Sequence, residues 1–410
     1  MNFIEIVFFI YTFLALYMLS LFTLIYIQNK NKIFSYPKSK VEPVSIIMPC
    51  YNESDSIGKA IESLLSLDYP KDMMEIIIID DKSTDNSVEI IKQYTKKYSN
   101  VRLIINKRNS GGAAEPTNIG VKAAKYNYIA VADADSTPNK DALIKMIGFL
   151  QSDQKVGGVT CAVMAKHSNK FIEKLQSIEY TVISFTRKLL DLVDAVYVTP
   201  GPFALYRKKT LLEIGLFDTK NLTQDIEIVW RMVYHGYVAR MCLATQVRSI
   251  TPTTFKKWFK QRIRWNIGGT QTILKYKSFF LRKGMLGAFI LPFFVISLIT
   301  GLLGLGIFVY LLSKRILVSY LATKYSTYIG TTILNLQEIN LSPSILNFFG
   351  ISLFILGSLF TFLGLTVMEE KELRNKNKFA LLIYLTIYLS IYPIILITSL
   401  YKLARGKYTW

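Results

Sequence analysis

Two aspartates one residue apart, Asp133 and Asp135, follow the apolar run Tyr128-Ile-Ala-Val131. Carboxylates so placed offer the hard oxygen ligands that magnesium or manganese prefers. Such a site suits a reaction in which a diphosphate leaves, because a divalent cation absorbs the charge that develops as the bond breaks. The D-x-D pattern alone is common in loops; its weight comes from its place after a strand, with Asp80-Asp81 at an earlier strand end. Asp225, in Asn221-Leu-Thr-Gln-Asp225, can act as general base toward an attacking hydroxyl. Thr223 can equally cap a helix with Asp225 in its first turn, and on this segment alone that structural role is the stronger reading. Gln261, Arg264 and Trp265, at i, i+3 and i+4, share one helical face. Arginine binds a diphosphate bidentately, glutamine adds a hydrogen bond, and an indole offers a flat surface to a sugar ring. The same residues also suit a surface helix anchored on a membrane by its tryptophan.

Other chemistries find little support. His167 and His235 stand apart, without partners at metal-ligand spacing, and no Ser/His/Asp or Cys/His arrangement points to a hydrolase. Cys50, Cys161 and Cys242 are three in number, far apart and without C-x-x-C spacing, which argues for reduced, buried thiols.

The elements that must position these residues are short β-branched runs separated by amphipathic stretches: Val44–Met48, Glu75–Ile79, Val101–Ile105 and Tyr128–Val131. That rhythm predicts a Rossmann-like, mostly parallel sheet with helices on both faces, in which ligands bind at the carboxyl ends of the strands. Those ends carry Pro49-Cys-Tyr-Asn-Glu53, Asp80-Asp81, Asn106 and Asp133-Ala-Asp135. Each alone is an ordinary polar loop; four at one edge form a cleft.

The chain has 410 residues, 51% of them hydrophobic. Four stretches of bilayer-spanning length are almost free of charge: Phe3–Ile27, Leu286–Leu312, Ile345–Val367 and Phe379–Tyr401. Lys30, Lys32, Lys38 and Lys40 after the first stretch make it a retained anchor and place the hydrophilic segment beyond it in the cytoplasm. The expected division is an anchor over 1–29, a cytosolic domain over 30–252, interfacial helices over 253–283, and spans with a tail over 284–410. Counting spans returns Met368–Lys378 to the cytoplasm and leaves the basic tail Lys402, Arg405, Lys407 outside, against the positive-inside rule unless a further span lies near Arg315–Leu336. A net charge of +20 suits anionic lipid headgroups and phosphorylated substrates, and the spans argue against nucleic acid. Two amphipathic stripes can lie on the membrane or on the sheet: Phe171, Leu175, Ile178, Val182, Phe185, Leu189, and Phe255, Trp258, Phe259, Ile263. The second, rich in lysine, is the better candidate for a membrane surface.

In order along the chain, Pro49-Cys-Tyr-Asn-Glu53, Asp80-Asp81-Lys-Ser-Thr-Asp85, Asp133-Ala-Asp135, Thr223-Gln-Asp225 and Gln261-Arg-Ile-Arg-Trp265 resemble the processive family 2 membrane glycosyltransferases, most closely in size the bacterial poly-N-acetylglucosamine synthases. The resemblance covers roughly the whole chain. It implies a GT-A fold, a UDP-sugar donor and Mg2+ or Mn2+. It implies further that Tyr51, Glu53 and Asp81, with Asp80 beside it, hold the uridine, and that Asp133 and Asp135 contact nucleotide and metal. Asp225 would be the base, and Gln261, Arg264 and Trp265 would bind pyrophosphate and line the acceptor entrance. The tail Lys407-Tyr-Thr-Trp410 resembles one kept near the cytosolic active site, which conflicts with the span count. Two departures stand out: glutamine at 224 where the family usually has glutamate, and Asn109–Asn118 without the usual loop lysine. The expected function is inverting transfer of a sugar, best N-acetylglucosamine, to a growing polysaccharide in a multi-pass cell-membrane protein. One alternative is transfer to a polyprenyl phosphate or glycolipid. Another is a non-catalytic subunit binding nucleotide or glycan. Membrane lipids are partners in each case, and an accessory membrane subunit stays open.

Overall fold

The computed structural model describes residues 3–166, 169–282, 284–329, 345–368 and 378–406. The isoleucine-rich runs become central strands because both their faces are covered. In β1 (Val44–Cys50) and β2 (Met74–Asp80), Ile46, Ile76 and Ile78 face one layer, while Ile47, Ile77 and Ile79 face the other, all fully buried. β3 (Val101–Ile105) and β4 (Tyr128–Val131) pair parallel to them. With β5 (Thr137–Pro138), β6 (Val156–Ala165), β7 (Ala204–Arg207) and β8 (Val238–Ser249) they form one sheet of order β3-β2-β1-β4-β7-β6-β8-β5. β7 runs antiparallel to both β4 and β6, and β5 antiparallel to β8, so the sheet is mixed. The rhythm read from sequence describes its parallel half.

Helices α2 (Ile57–Leu65), α3 (Ser87–Lys97) and α5 (Ala142–Ser152) bury Ile61, Ile91 and Met146 against the first face. On the second face α4 (Ala114–Ala123) contributes Val121, and α6 (Phe171–Asp191) contributes Phe185 and Leu189. All three cysteines are free and buried, as expected of structural thiols.

Among the described residues four helices are long and apolar enough to cross a membrane: Glu5–Lys32, Leu286–Tyr328, Gly350–Val367 and Lys378–Ala404. The second is longer than its apolar stretch suggests. Its α-helical part, Leu291–Ile329, has 39 residues, and at 1.5 Å per residue extends roughly 58 Å, about twice the hydrocarbon thickness. Arg315 lies within this continuous helix, so no separate span begins there. Residues 330–336 of that proposed span, most of the Met368–Lys378 loop and the tail motif at 407–410 lie outside the described residues.

The helices expected at the membrane surface are held largely by protein. α6 is wedged between sheet and spans: its Ser184 Oγ donates to Val163 O at 3.3 Å, while its Phe185 ring lies 5.6 Å from Tyr26 and 5.5 Å from Phe360. In α9 (Phe255–Tyr276), Trp258 is fully buried, its ring 4.8 Å from Tyr388 in the terminal span, so the surface-anchor reading of this tryptophan does not hold. The terminal span covers that face of α9. Charges are buried there as well: the Arg262 guanidinium pairs with Glu179 of α6, which also accepts from Tyr388 Oη at 2.6 Å and from Tyr392 Oη. Removing one partner of a buried pair strands the other, so Glu179→Ala costs about 3–5 kcal/mol. Thermal unfolding in detergent would show the lowered midpoint; an unchanged midpoint would mean that water already reaches this pair.

Candidate active site

A cavity of about 720 Å3 lies at the carboxyl edge of β1, β2 and β4, closed on the far side by α6, the start of α8 (Gln224–Tyr234) and α9. Tyr51, Glu53, Asp81, Asp133, Asp135, Asp225, Gln261, Arg264 and Trp265 all line it. Asp80 does not. Its buried carboxylate accepts from Ser83 N at 3.3 and 3.2 Å and shapes the turn behind the wall.

At one end the loops after β1 and β2 interlock. Asn52 takes φ 54°, a left-handed conformation that asparagine tolerates. Its Oδ1 accepts from Thr84 N at 2.8 Å and its N donates to Ser83 Oγ at 3.0 Å, which presents Tyr51 and Glu53 to the cavity. Desolvation raises the Glu53 pKa, opposed by a 2.6 Å bond from Ser56 Oγ. Asp81 accepts from Asn106 Nδ2 at 2.8 Å, Ser110 N at 2.9 Å and Ser110 Oγ at 2.7 Å, which fixes the loop after β3 as part of the wall.

At the centre, desolvation and then the Asp135 and Asp225 carboxylates push Asp133 well above the usual carboxylate range, with Arg264 pulling the other way. Asp135 is raised by desolvation against a bond from Ser136 Oγ at 3.1 Å. Among the described residues no group of three or more His, Cys, Asp or Glu can hold a metal by itself. Two carboxylates short of positive charge, with room beside them, nevertheless fit a cation such as Mg2+, which commonly takes one or two protein carboxylates and fills its remaining positions from phosphates and water. Gly201 lies directly against Asp133: a Cβ there would stand 2.7 and 2.9 Å from its carboxylate oxygens. Gly201→Ala should therefore displace the Asp133 carboxylate from the cavity wall, with an expected fall in turnover of about tenfold or more. The manganese dependence of turnover checks this, and an unchanged profile would contradict it.

On the far side Thr223 precedes α8, but its hydroxyl does not cap the helix; it bonds Asn221 Oδ1 at 3.2 Å. The structural role that competes with catalysis in the sequence is thus only half present. Thr199 N donates to Asp225 O at 3.2 Å, tying α8 to the loop before β7. Desolvation raises the Asp225 pKa, while Arg264 and Arg187 act to lower it. Gly268, one turn beyond Arg264, lets α9 approach α8: a Cβ there would stand 2.7 Å from Thr223 N. Trp265 stands 6.5 Å from the Tyr180 ring, and the Arg262 guanidinium lies 4.0 Å over the indole.

Sequence reasoning misses the contribution of α6. Tyr180, Ile183, Ser184 and Arg187 line the cavity, and their i, i+3, i+4, i+7 spacing forms a second stripe beside the apolar one. From the sequence alone Arg187 is a basic flank of the apolar stripe and nothing more.

Residues 45–215 match the family model Glycosyl transferase family 2. Poly-beta-1,6-N-acetyl-D-glucosamine synthase of Staphylococcus epidermidis is 32% identical over 275 residues, 66% of this chain and 65% of that one. The enzyme of the same name from Staphylococcus aureus strain MSSA476 is 33% identical over 237 residues, 58% of this chain and 57% of that one. The matched stretch thus spans 65% and 57% of the length of these two relatives, less than the whole-chain likeness expected from the motifs. A solved mannosyltransferase from Pyrobaculum calidifontis, in complex with GDP-Man and Mn2+, superposes with TM-score 0.63 over 99% of this chain and 100% of that one, at 17% identity. That likeness is one of fold, GT-A-like.

Proposed function

We propose that the chain, whose residues 45–215 match the family model Glycosyl transferase family 2, transfers N-acetylglucosamine from UDP-N-acetylglucosamine to the end of a growing polysaccharide, with inversion, at the cytoplasmic face of the cell membrane. The observation that supports this best is the convergence of Asp133, Asp135, Asp225 and Arg264 on one cavity. The staphylococcal relatives point to the sugar.

In this reading Tyr51, Glu53 and Asp81 hold the uridine, while Gln261 and Arg264 bind the diphosphate. Asp133 and Asp135 would hold Mg2+ or Mn2+, which when bound neutralises the charge of the departing UDP. Asp225 takes the proton from the acceptor hydroxyl as its oxygen bonds to the anomeric carbon on the face opposite the breaking bond to UDP. A base raised above the usual carboxylate range binds that proton more firmly. The four apolar helices hold the domain at the bilayer in a multi-pass arrangement and provide for export of the product.

A second reading, transfer of one sugar to a polyprenyl phosphate or glycolipid, is favoured by one contact. Tyr197 lines the cavity and meets Phe294, near the start of the long span, edge-to-face at 4.7 Å between ring centroids, which brings the site close to lipid. Incubation of the purified chain with labelled UDP-N-acetylglucosamine, followed by solvent extraction and sizing on a gel, separates the two. A long, water-soluble, labelled product supports polymerisation; a short, solvent-extractable product would replace it with the lipid reading.

A further inference from the structure

We propose that Arg262 is a positioning residue: locked on Glu179 and on the terminal span, its guanidinium sets the Gln261 amide and the Trp265 indole where they line the cavity. The inference rests on the transfer reading above and names the group that fixes its diphosphate and acceptor contacts.

Arg262 is fully buried and is not among the residues that line the cavity. Its guanidinium holds Glu179 of α6 with two donors, Nε to Oε1 at 3.2 Å and Nη2 to Oε2. The same carboxylate accepts from Tyr392 Oη on Oε1 and from Tyr388 Oη on Oε2 at 2.6 Å. Each carboxylate oxygen thus receives two donors, which fills its lone pairs. Arg262 Nε also donates to Tyr392 Oη at 3.1 Å. A planar fork held at Nε and Nη2 has no rotation left, and the direction of Nη1 follows from it.

Nη1 donates to Gln261 Oε1 at 2.5 Å. Arginine has no acceptor, so this bond decides which end of the amide is which: Arg262 engages the oxygen, and the Nε2 donor is what Gln261 offers a ligand. A donor there suits an anionic oxygen of the diphosphate. The same guanidinium carries the Trp265 indole, with 4.0 Å between the guanidinium carbon and the ring centroid. Tyr180 flanks the pair, its ring 5.8 Å from that carbon and 6.5 Å from the indole. Gln261, Trp265 and Tyr180 all line the cavity, so Arg262 supports three residues of the wall from behind it.

Stability alone explains this arrangement poorly. Apolar replacement of a buried ion pair commonly leaves stability unchanged or raises it. Lysine would neutralise Glu179 as well, but a point charge cannot at once hold both carboxylate oxygens, reach Gln261 and support an indole. The fork is what the cavity wall requires, and the tyrosines of the terminal span complete it.

Two variants of the full chain in detergent test this without stranding a charge. Arg262→Lys keeps the pair; Glu179→Gln combined with Arg262→Met removes both charges and keeps an acceptor for the tyrosines. Thermal midpoints within about 4 °C of the unaltered chain are expected for both. Calorimetry with UDP and with uridine, Mn2+ present, should show the preference for UDP reduced about tenfold in each variant, with uridine affinity changed less than about twofold. Turnover of UDP-N-acetylglucosamine should fall about tenfold to 100-fold. In a chain already carrying Gln261→Met and Trp265→Phe, Arg262→Lys should change the preference for UDP less than about twofold, because the residues it acts through are gone. A paired variant that keeps its midpoint together with full UDP preference and turnover would overturn the proposal. So would an equal loss of uridine and UDP affinity, a full further loss in the Gln261→Met, Trp265→Phe background, or absence of UDP binding by the unaltered chain. Reduced UDP preference in Arg262→Lys, with no UDP release from any donor by the unaltered chain, would uphold the positioning role and remove the transfer reading on which it was built.

Discussion

Replacing Asp225 with asparagine is expected to lower UDP release about 100-fold to 10,000-fold while leaving UDP affinity within about twofold. The substitution keeps the size of the side chain and its place at the start of α8, and it removes only the capacity to take a proton. Asp225 O is held by Thr199 N, a backbone bond that the substitution leaves alone, so the loop before β7 should not move. Binding and turnover separate because Tyr51, Glu53 and Asp81 reach the cavity from the loops after β1 and β2 rather than from α8. Parallel loss of nucleotide affinity would show that Asp225 supports the fold of the site. Undiminished turnover would assign the base elsewhere. Loss of turnover with intact nucleotide binding would also exclude a purely non-catalytic subunit.

The second large effect is expected at Arg264. It is the cation that acts on both Asp133 and Asp225, and Gly268 one turn later lets its helix approach α8. Arg264→Gln removes the charge at the centre of the cavity and should reduce kcat about 100-fold to 1,000-fold, the scale seen when one stabilising donor to a developing charge is lost. Arg264→Lys retains the charge without the planar fork, so partial recovery is expected, short of the original rate. Steady-state kinetics across the two variants would check this. Full activity in Arg264→Lys would show that only net charge matters, and full activity in Arg264→Gln would remove the residue from the reaction.

Much of this site is legible in the sequence because its chemistry sits on strand ends. The runs at Val44, Glu75 and Tyr128 are rich in β-branched residues, and a polar residue soon after such a run has little choice but to stand at the sheet's edge. Asp81, Asp133 and Asp135 are accessible to that logic. Asp80 is not separable from Asp81, since adjacent residues at a strand end point opposite ways and spacing does not say which one faces the cavity. The antiparallel insertion of β7 is hidden because Ala204–Arg207 is four residues long, with no alternation to read. Arg187 and Trp258 escape for a common reason. Each lies on an amphipathic helix whose neighbours on both sides are protein, and periodicity identifies the faces of a helix without saying what covers them. A basic or aromatic stripe suggests a membrane when read alone; the terminal span beside Trp258 and the cavity beside Arg187 become visible only in three dimensions.

The measurement that bears most directly on the central claim is UDP release from UDP-N-acetylglucosamine by the purified full chain in detergent, with Mn2+ or Mg2+ and after chelation, in parallel with the Asp225→Asn variant. The expected result is release that requires the metal and that the variant lacks. Release that is indifferent to chelation and equal in the two proteins, or no release from the unaltered chain while it still binds UDP, would contradict the assignment of this cavity as a glycosyltransferase site.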